Sequence, residues 1–210
     1  MISLSHVSFE KDGQTLLEDV DFELEPGECV CILGAEGSGK TALLRMLMGL
    51  EKPSKGKVTV DGFSLASLPE AHLQLYRRSI GSIEQEDLLI PMLTAALNIA
   101  IPLRIHRKSP SEIEKRIAAL LLQGNLLPKA GFLPSLLTRS ERRMVAFLRA
   151  IAAEPKILLL DEPTKEMLPL MKEAKEKGAT ILFGTTNPAF AKDLKARTIN
   201  LQAPALAPAL

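Results

Sequence analysis

The stretch Gly34-Ala35-Glu36-Gly37-Ser38-Gly39-Lys40-Thr41 constrains this chain more than any other, because it meets the pattern GxxxxGK[ST] at every fixed position. Before it, Cys29-Val30-Cys31-Ile32-Leu33 is a short apolar run bounded by Pro26-Gly27, which reads as a buried strand. After it, Ala42, Leu43, Met46, Leu47 and Leu50 fall at helical spacing. Strand, loop and helix in that order form the setting in which the pattern binds phosphate. Gly34, Gly37 and Gly39 let the loop curl, so that successive N–H groups, those of Ala35, Glu36 and Ser38 included, point inward at phosphate oxygens. The helix N-terminus behind the loop adds partial positive charge. Lys40 is placed to reach the β- and γ-phosphates, and the Thr41 hydroxyl to ligate Mg²⁺. The motif implies a nucleoside triphosphate.

The rest of the composition narrows the field. The 210 residues suffice for one well-packed domain with an inserted subdomain. With 26 Lys+Arg against 25 Asp+Glu, the net charge of +1 gives no broad footprint for nucleic acid, and none is expected as a partner. No run of 18 uncharged apolar residues exists to span a membrane, and the N-terminus lacks the basic flank and apolar core of a secretory signal. Cys29 and Cys31 have no second Cys/His pair at ligand spacing, so they are expected to be buried, reduced thiols. His6, His72 and His106 share no motif.

Taken in order, Ile2 to Phe9 and Leu16 to Leu24 read as antiparallel strands, with a turn at Asp12-Gly13. Lys57-Val58-Thr59-Val60 is a further strand, closed by the Asp61-Gly62 turn. From Pro69 to Ala153 the pattern is mostly helical. One helix there is expected to start at Ser111 as N-cap, with Glu112 and Glu114 in its first turn, and another to run from Ser140 to Ala153. Lys156 to Leu160 is a continuous apolar run that suits a strand buried on both faces, and it ends in Asp161-Glu162-Pro163. A carboxylate at the carboxyl end of such a strand lies where open α/β sheets bind ligands. There Asp161 can hold Mg²⁺, and Glu162 can orient or deprotonate the attacking water. A helix over Lys165–Gly178, a strand over Ala179–Gly184 and a frayed Ala/Pro/Leu tail over Gln202–Leu210 complete the reading. The fold class is therefore α/β: a P-loop core with a mostly parallel sheet, an N-terminal antiparallel β subdomain and an inserted helical subdomain. The divisions fall at 1–68, 69–153, 154–201 and 202–210.

With these pieces in place the chain resembles the ATP-binding subunit of an ABC transporter over nearly its full length, closest to the branch serving lipoprotein release, cell division and small-molecule efflux. Leu17-Glu18-Asp19-Val20-Asp21-Phe22 and Pro26-Gly27-Glu28 match that family's approach to the phosphate loop, and Ala152 through Thr164 matches its Walker B segment. Ile80-Gly81-Ser82-Ile83-Glu84-Gln85 matches the segment of the Q-loop glutamine, which in the family senses Mg²⁺ and the γ-phosphate. Leu89 to Thr94, Asn98 and Pro102-Leu103 resemble the part that faces the membrane subunit. The resemblance implies ATP and Mg²⁺ as ligands and catalytic roles for Glu162, Lys40 and Gln85. It implies metal contacts from Thr41, Gln85 and Asp161. It also implies a transmembrane permease as partner, a homodimer or heterodimer of ATP-binding subunits, and a peripheral place on the cytoplasmic face of the membrane.

The departures cluster. Where the family's LSGGQ signature belongs, this chain has Leu137-Thr138-Arg139-Ser140-Glu141, so Arg139 puts a long side chain where bare backbone should approach phosphate. A guanidinium there can instead contact phosphate itself. Thr186 stands at the switch-histidine position, and Lys165-Glu166-Met167-Leu168 replaces the D-loop. The adenine-stacking aromatic aligns with Lys11, so adenine is expected either to rest on the aliphatic stem of Lys11 or to stack on Phe9, two residues earlier on the same strand face. Two functions are thus in play: an ATPase that drives or gates a membrane partner, expected to be slow or partner-dependent, and a nucleotide-binding structural or regulatory subunit. A P-loop kinase or GTPase lacks an acceptor-site or guanine-specificity motif.

Overall fold

A computed structural model describes residues 1–202, and the part of the expected tail beyond Gln202 lies outside the described residues. Two sheets organise the chain. β1 (Ile2–Lys11) pairs antiparallel with β2 (Gln14–Leu24) and with β4 (Lys55–Val60), and the two-residue β5 (Phe63–Ser64) closes that sheet in the order β2-β1-β4-β5. The second sheet is parallel, in the order β6-β7-β8-β3-β9. Its strands are β3 (Cys29–Leu33), β6 (Ile80–Ile83), β7 (Ile157–Asp161), β8 (Thr180–Thr185) and β9 (Arg197–Asn200).

Strand alternation divides the core between the two faces of the parallel sheet. Val30, Ile32, Leu159 and Leu182 face the antiparallel sheet and α1 (Lys40–Leu47). Cys29, Cys31, Leu158, Leu160, Ile181 and Phe183 face α3 (Ala95–Ile105), α4 (Pro110–Gln123) and α5 (Arg139–Ile151). The remaining helices are α2 (Glu70–Ser79), α6 (Leu168–Glu176) and α7 (Pro188–Asp193). Both cysteines are buried and free, and burial pushes their thiols up to about 11 for Cys29 and about 12 for Cys31.

Several boundaries differ from expectation, each for a physical reason. α4 is capped by Ser109, not Ser111: Pro110 occupies the first helical position, and Ser109 exchanges hydrogen bonds with Glu112 in a capping box. α5 begins one residue earlier than expected, because Thr138 and Glu141 form the same device. β6 lies inside the stretch that reads as mainly helical and forms an edge of the parallel sheet beside β7. Phe9 cannot serve as an exposed aromatic platform, because its ring is buried in the core under the antiparallel sheet. Among the described residues no helix is long and apolar enough to cross a membrane.

Candidate functional site

Parallel strands bring their carboxyl ends to one edge, and the row across β7, β8 and β3 sets out the site: Asp161 pairs with Gly184, and Gly184 with Ile32. The phosphate loop leaves β3 at Gly34, whose amide donates to the Thr185 carbonyl at 3.3 Å. Gly37 has φ 77° and Gly39 φ 89°, left-handed values that a side chain resists. A Cβ on Gly39 would lie 2.4 Å from the Leu16 carbonyl oxygen, so β2 buttresses the loop from below. Gly184 serves a similar purpose above: a Cβ there would meet Lys40 Cβ at 3.2 Å and Asp161 Oδ1 at 3.6 Å.

Within this frame the loop residues converge. Lys40 is buried, and its ammonium donates to the carbonyls of Gly34 and Ala35, both at 2.9 Å. The same ammonium lies 3.6 Å from Glu162 Oε1. Ser38 is buried, and among the described residues its hydroxyl has no hydrogen-bond partner. The Thr41 hydroxyl donates to Asp161 Oδ2 at 2.7 Å, with Asp161 buried at the end of β7. An orphaned buried hydroxyl and a lysine folded back onto its own loop fit an anion seated among the loop amides. A hydroxyl beside a buried carboxylate is an oxygen donor set suited to Mg²⁺. Ala35 and Glu36 are exposed at the rim of the loop.

Glu162 has φ 47°, an uncommon conformation for a residue with a side chain. Its amide donates to the Gly184 carbonyl at 2.9 Å, and its Oε2 accepts from the Thr186 amide at 3.4 Å. The residue at the switch position thus addresses Glu162 through its backbone. Gln85 is exposed and, among the described residues, its side chain forms no hydrogen bond to Thr41 or Asp161. Lys11 pairs with Glu51 at 3.1 Å, and Glu51 lies 3.6 Å from Arg45 of α1, so the polar contacts of Lys11 are made away from the loop. At the start of α5, Thr138 Oγ1 is occupied by the Glu141 amide and by Ser140 Oγ, and Arg139 is exposed.

Sequence reasoning missed Arg143, and it placed Asn98 only within the segment that resembles the face toward the membrane subunit. Arg143, on α5, is buried and donates to carbonyls at the end of β7 and in the segment after β6. Its signal was a charge four residues before Phe147, on the apolar face of the helix. Asn98 of α3 is fully buried; its Oδ1 accepts from the Ile90 amide at 2.8 Å, and its Nδ2 donates to the carbonyls of Ile90, Leu93 and Thr94 at 3.2, 2.9 and 3.1 Å. It thereby fixes the segment that leaves Leu88, Ile90 and Met92 exposed, the last by 85%.

A phosphate loop after an interior parallel strand, with a buried carboxylate at the end of β7 on the far side of β8, defines a P-loop nucleotide-binding domain. Residues 17–165 match the family model described as ABC transporter, and the chain belongs to that family. It is 37% identical over 198 residues to the methionine import ATP-binding protein MetN of Haemophilus influenzae, covering 88% of this chain and 57% of that protein. It is 36% identical over 194 residues to the cell division ATP-binding protein FtsE of Escherichia coli, covering 88% of this chain and 87% of that one. The chain thus spans little more than half the length of MetN. Among solved structures, the dimeric post-hydrolysis state of the ATP-binding cassette MJ0796, bound to ADP and Pi, superposes with a TM-score of 0.89 at 31% identity, covering 97% of this chain and 96% of that one.

Proposed function

We propose that this chain is the ATP-binding subunit of an ABC-type membrane complex, and that it hydrolyses Mg²⁺–ATP slowly. The observation that carries the reading is the convergence of Lys40, Ser38, Thr41, Asp161 and Glu162 at one sheet edge. The loop amides, Ser38 and Lys40 bind the phosphates, and the N-terminus of α1 adds its dipole. Thr41 and Asp161 hold Mg²⁺, which supplies charge neutralisation at the phosphates when bound. Glu162, aimed between Lys40 and the Thr186 amide, positions water and takes its proton.

Slow turnover follows from the donors around the transferring phosphoryl group. Loss of one positioned donor costs about 10²–10³ in rate. The Thr138 hydroxyl is committed to capping α5, Arg139 stands where bare backbone belongs, and Thr186 supplies no ring nitrogen. These observations also favour a second reading, in which bound ATP stabilises an assembly and hydrolysis is vestigial. The dimeric MJ0796 cassette supports pairing of this chain with a second ATP-binding subunit, either a copy of itself or a different one. The import and cell-division relatives support a transmembrane partner, and with it a peripheral position on the cytoplasmic membrane face. Exposed Leu88, Ile90 and Met92 offer the apolar surface for a short helix of that partner.

Lys40→Ala tests the site. Removing the ammonium weakens ATP binding at least about tenfold, or 1.4 kcal/mol, in a calorimetric titration. Unchanged ATP affinity in that variant means that the phosphates bind elsewhere.

A further inference from the structure

Arg143 is a buried cation with an unusual set of partners. On one side it donates to the Glu84 carbonyl and, at 3.4 Å, to the Gln85 carbonyl, and it lies 3.4 Å from Asp87 Oδ1. On the other side it donates to the Asp161 carbonyl and, at 3.5 Å, to the Glu162 carbonyl. One planar guanidinium therefore joins the segment that follows β6 to the end of β7. A guanidinium has five donors in a fixed fork, so it can hold both strand ends in one geometry, which an ammonium cannot. The same segment is held further along by Arg149, which donates to the Asp87 carbonyl at 3.2 Å and to the Leu88 carbonyl at 2.8 Å. Beyond it begins the exposed apolar surface at Leu88, Ile90 and Met92.

The consequence falls on Glu162. Its left-handed φ of 47° is held on the N–H side by the Gly184 carbonyl and on the carbonyl side by Arg143. A side chain in that region is strained relative to its relaxed conformation, so it persists only where its surroundings fix both flanking peptides. Without the guanidinium, the carbonyl side is free to turn and the carboxylate leaves its place between Lys40 and the Thr186 amide.

We propose that Arg143 is a positioning residue for the reaction: it holds the peptide of Glu162 so that the carboxylate faces the phosphate loop, and it ties that peptide to the Gln85 segment. The proposal rests on the reading of the site as an ATPase with Glu162 as water-positioning base. Movement of residues 84–88 then reaches Glu162 through a single side chain, with no contact to nucleotide needed.

The test compares Arg143→Lys and Arg143→Met with the unsubstituted chain and with Glu162→Gln. Melting temperature, ATP affinity, kcat and KM are measured together with amide exchange at Glu162 and over residues 34–41. Both arginine variants are expected to keep ATP affinity and KM within about threefold while kcat falls about tenfold to a hundredfold, the cost of a misplaced catalytic group. Lysine restores much of the melting temperature lost in Arg143→Met, because it keeps the buried charge paired with Asp87, but it does not restore kcat. Exchange at the Glu162 amide rises at least about tenfold in both, with the loop amides unchanged. If kcat tracks melting temperature across the two variants, or ATP affinity falls in step with kcat, Arg143 is structural and the proposal is overturned. Should Arg143→Met fail to fold, Arg143→Lys decides alone by the same split. Should the unsubstituted chain and Glu162→Gln turn over equally, the ATPase reading fails, and amide exchange at Glu162 still decides whether Arg143 holds its peptide.

Discussion

Gly37 and Gly39 provide a matched pair for asking what fixes the phosphate loop. Both have left-handed φ, 77° and 89°, yet among the described residues a Cβ on Gly37 meets nothing within 4 Å, while one on Gly39 lies 2.4 Å from the Leu16 carbonyl and 2.5 Å from Leu17 Cδ2. Gly37→Ala therefore carries only the left-handed penalty, about 1–2 kcal/mol, part of which is offset by the stiffer unfolded chain. Gly39→Ala carries the same penalty and must also displace backbone of β2, which adds about 1–3 kcal/mol of overpacking. For a chain of this size that difference is a separation of roughly 2–12 °C in melting temperature. Thermal and urea unfolding without nucleotide measure it directly. ATP affinity should follow the same order, because displacing the loop from β2 tilts the amides at the start of α1. Equal destabilisation by the two substitutions would refute the claim that the antiparallel sheet buttresses the loop.

Asn98→Ala leaves the Ile90 amide and three carbonyls without their buried partner, so we expect a loss of about 2–4 kcal/mol in urea unfolding, with faster amide exchange over residues 90–94. Arg197 holds the Glu28 carboxyl below its usual range, so this pair contributes stability above the ordinary glutamate pKa and loses it as pH falls through the lower, folded value. Acid unfolding followed from pH 6 down to pH 3 should accordingly show a shallower decline in Glu28→Gln, which has no such carboxylate to protonate.

Much of this fold is legible from residues in series, and less of the site is. The loop, β3 and β7 stand out because glycines at fixed offsets and continuous apolar runs are local signals. The bond from Thr41 to Asp161 joins residues 120 apart in the chain, so only the parallel order of the strands brings them together. β9 and α7 are short, and much of their surface is exposed, so no periodicity announces them. The start of α4 was legible in Ser109-Pro110-Ser111-Glu112, where the serine before the proline forms the capping box. Phe9 illustrates the opposite difficulty: an aromatic on a strand reads equally as core or as platform until the second sheet is known to cover it. Arg143 is harder still, because a buried guanidinium is explained only by the carbonyls it meets, and these come from two strand ends.

On the proposed function the chain is an ATPase weakened by its missing donors, with its residual activity in Glu162. Steady-state Mg²⁺–ATP turnover of the pure protein, beside that of Glu162→Gln, tests it most directly. The expected result is a rate well below the ordinary enzyme value of about 10 s⁻¹, and a further loss in the variant. Turnover at or above that value, or the same rate in both proteins, would contradict it.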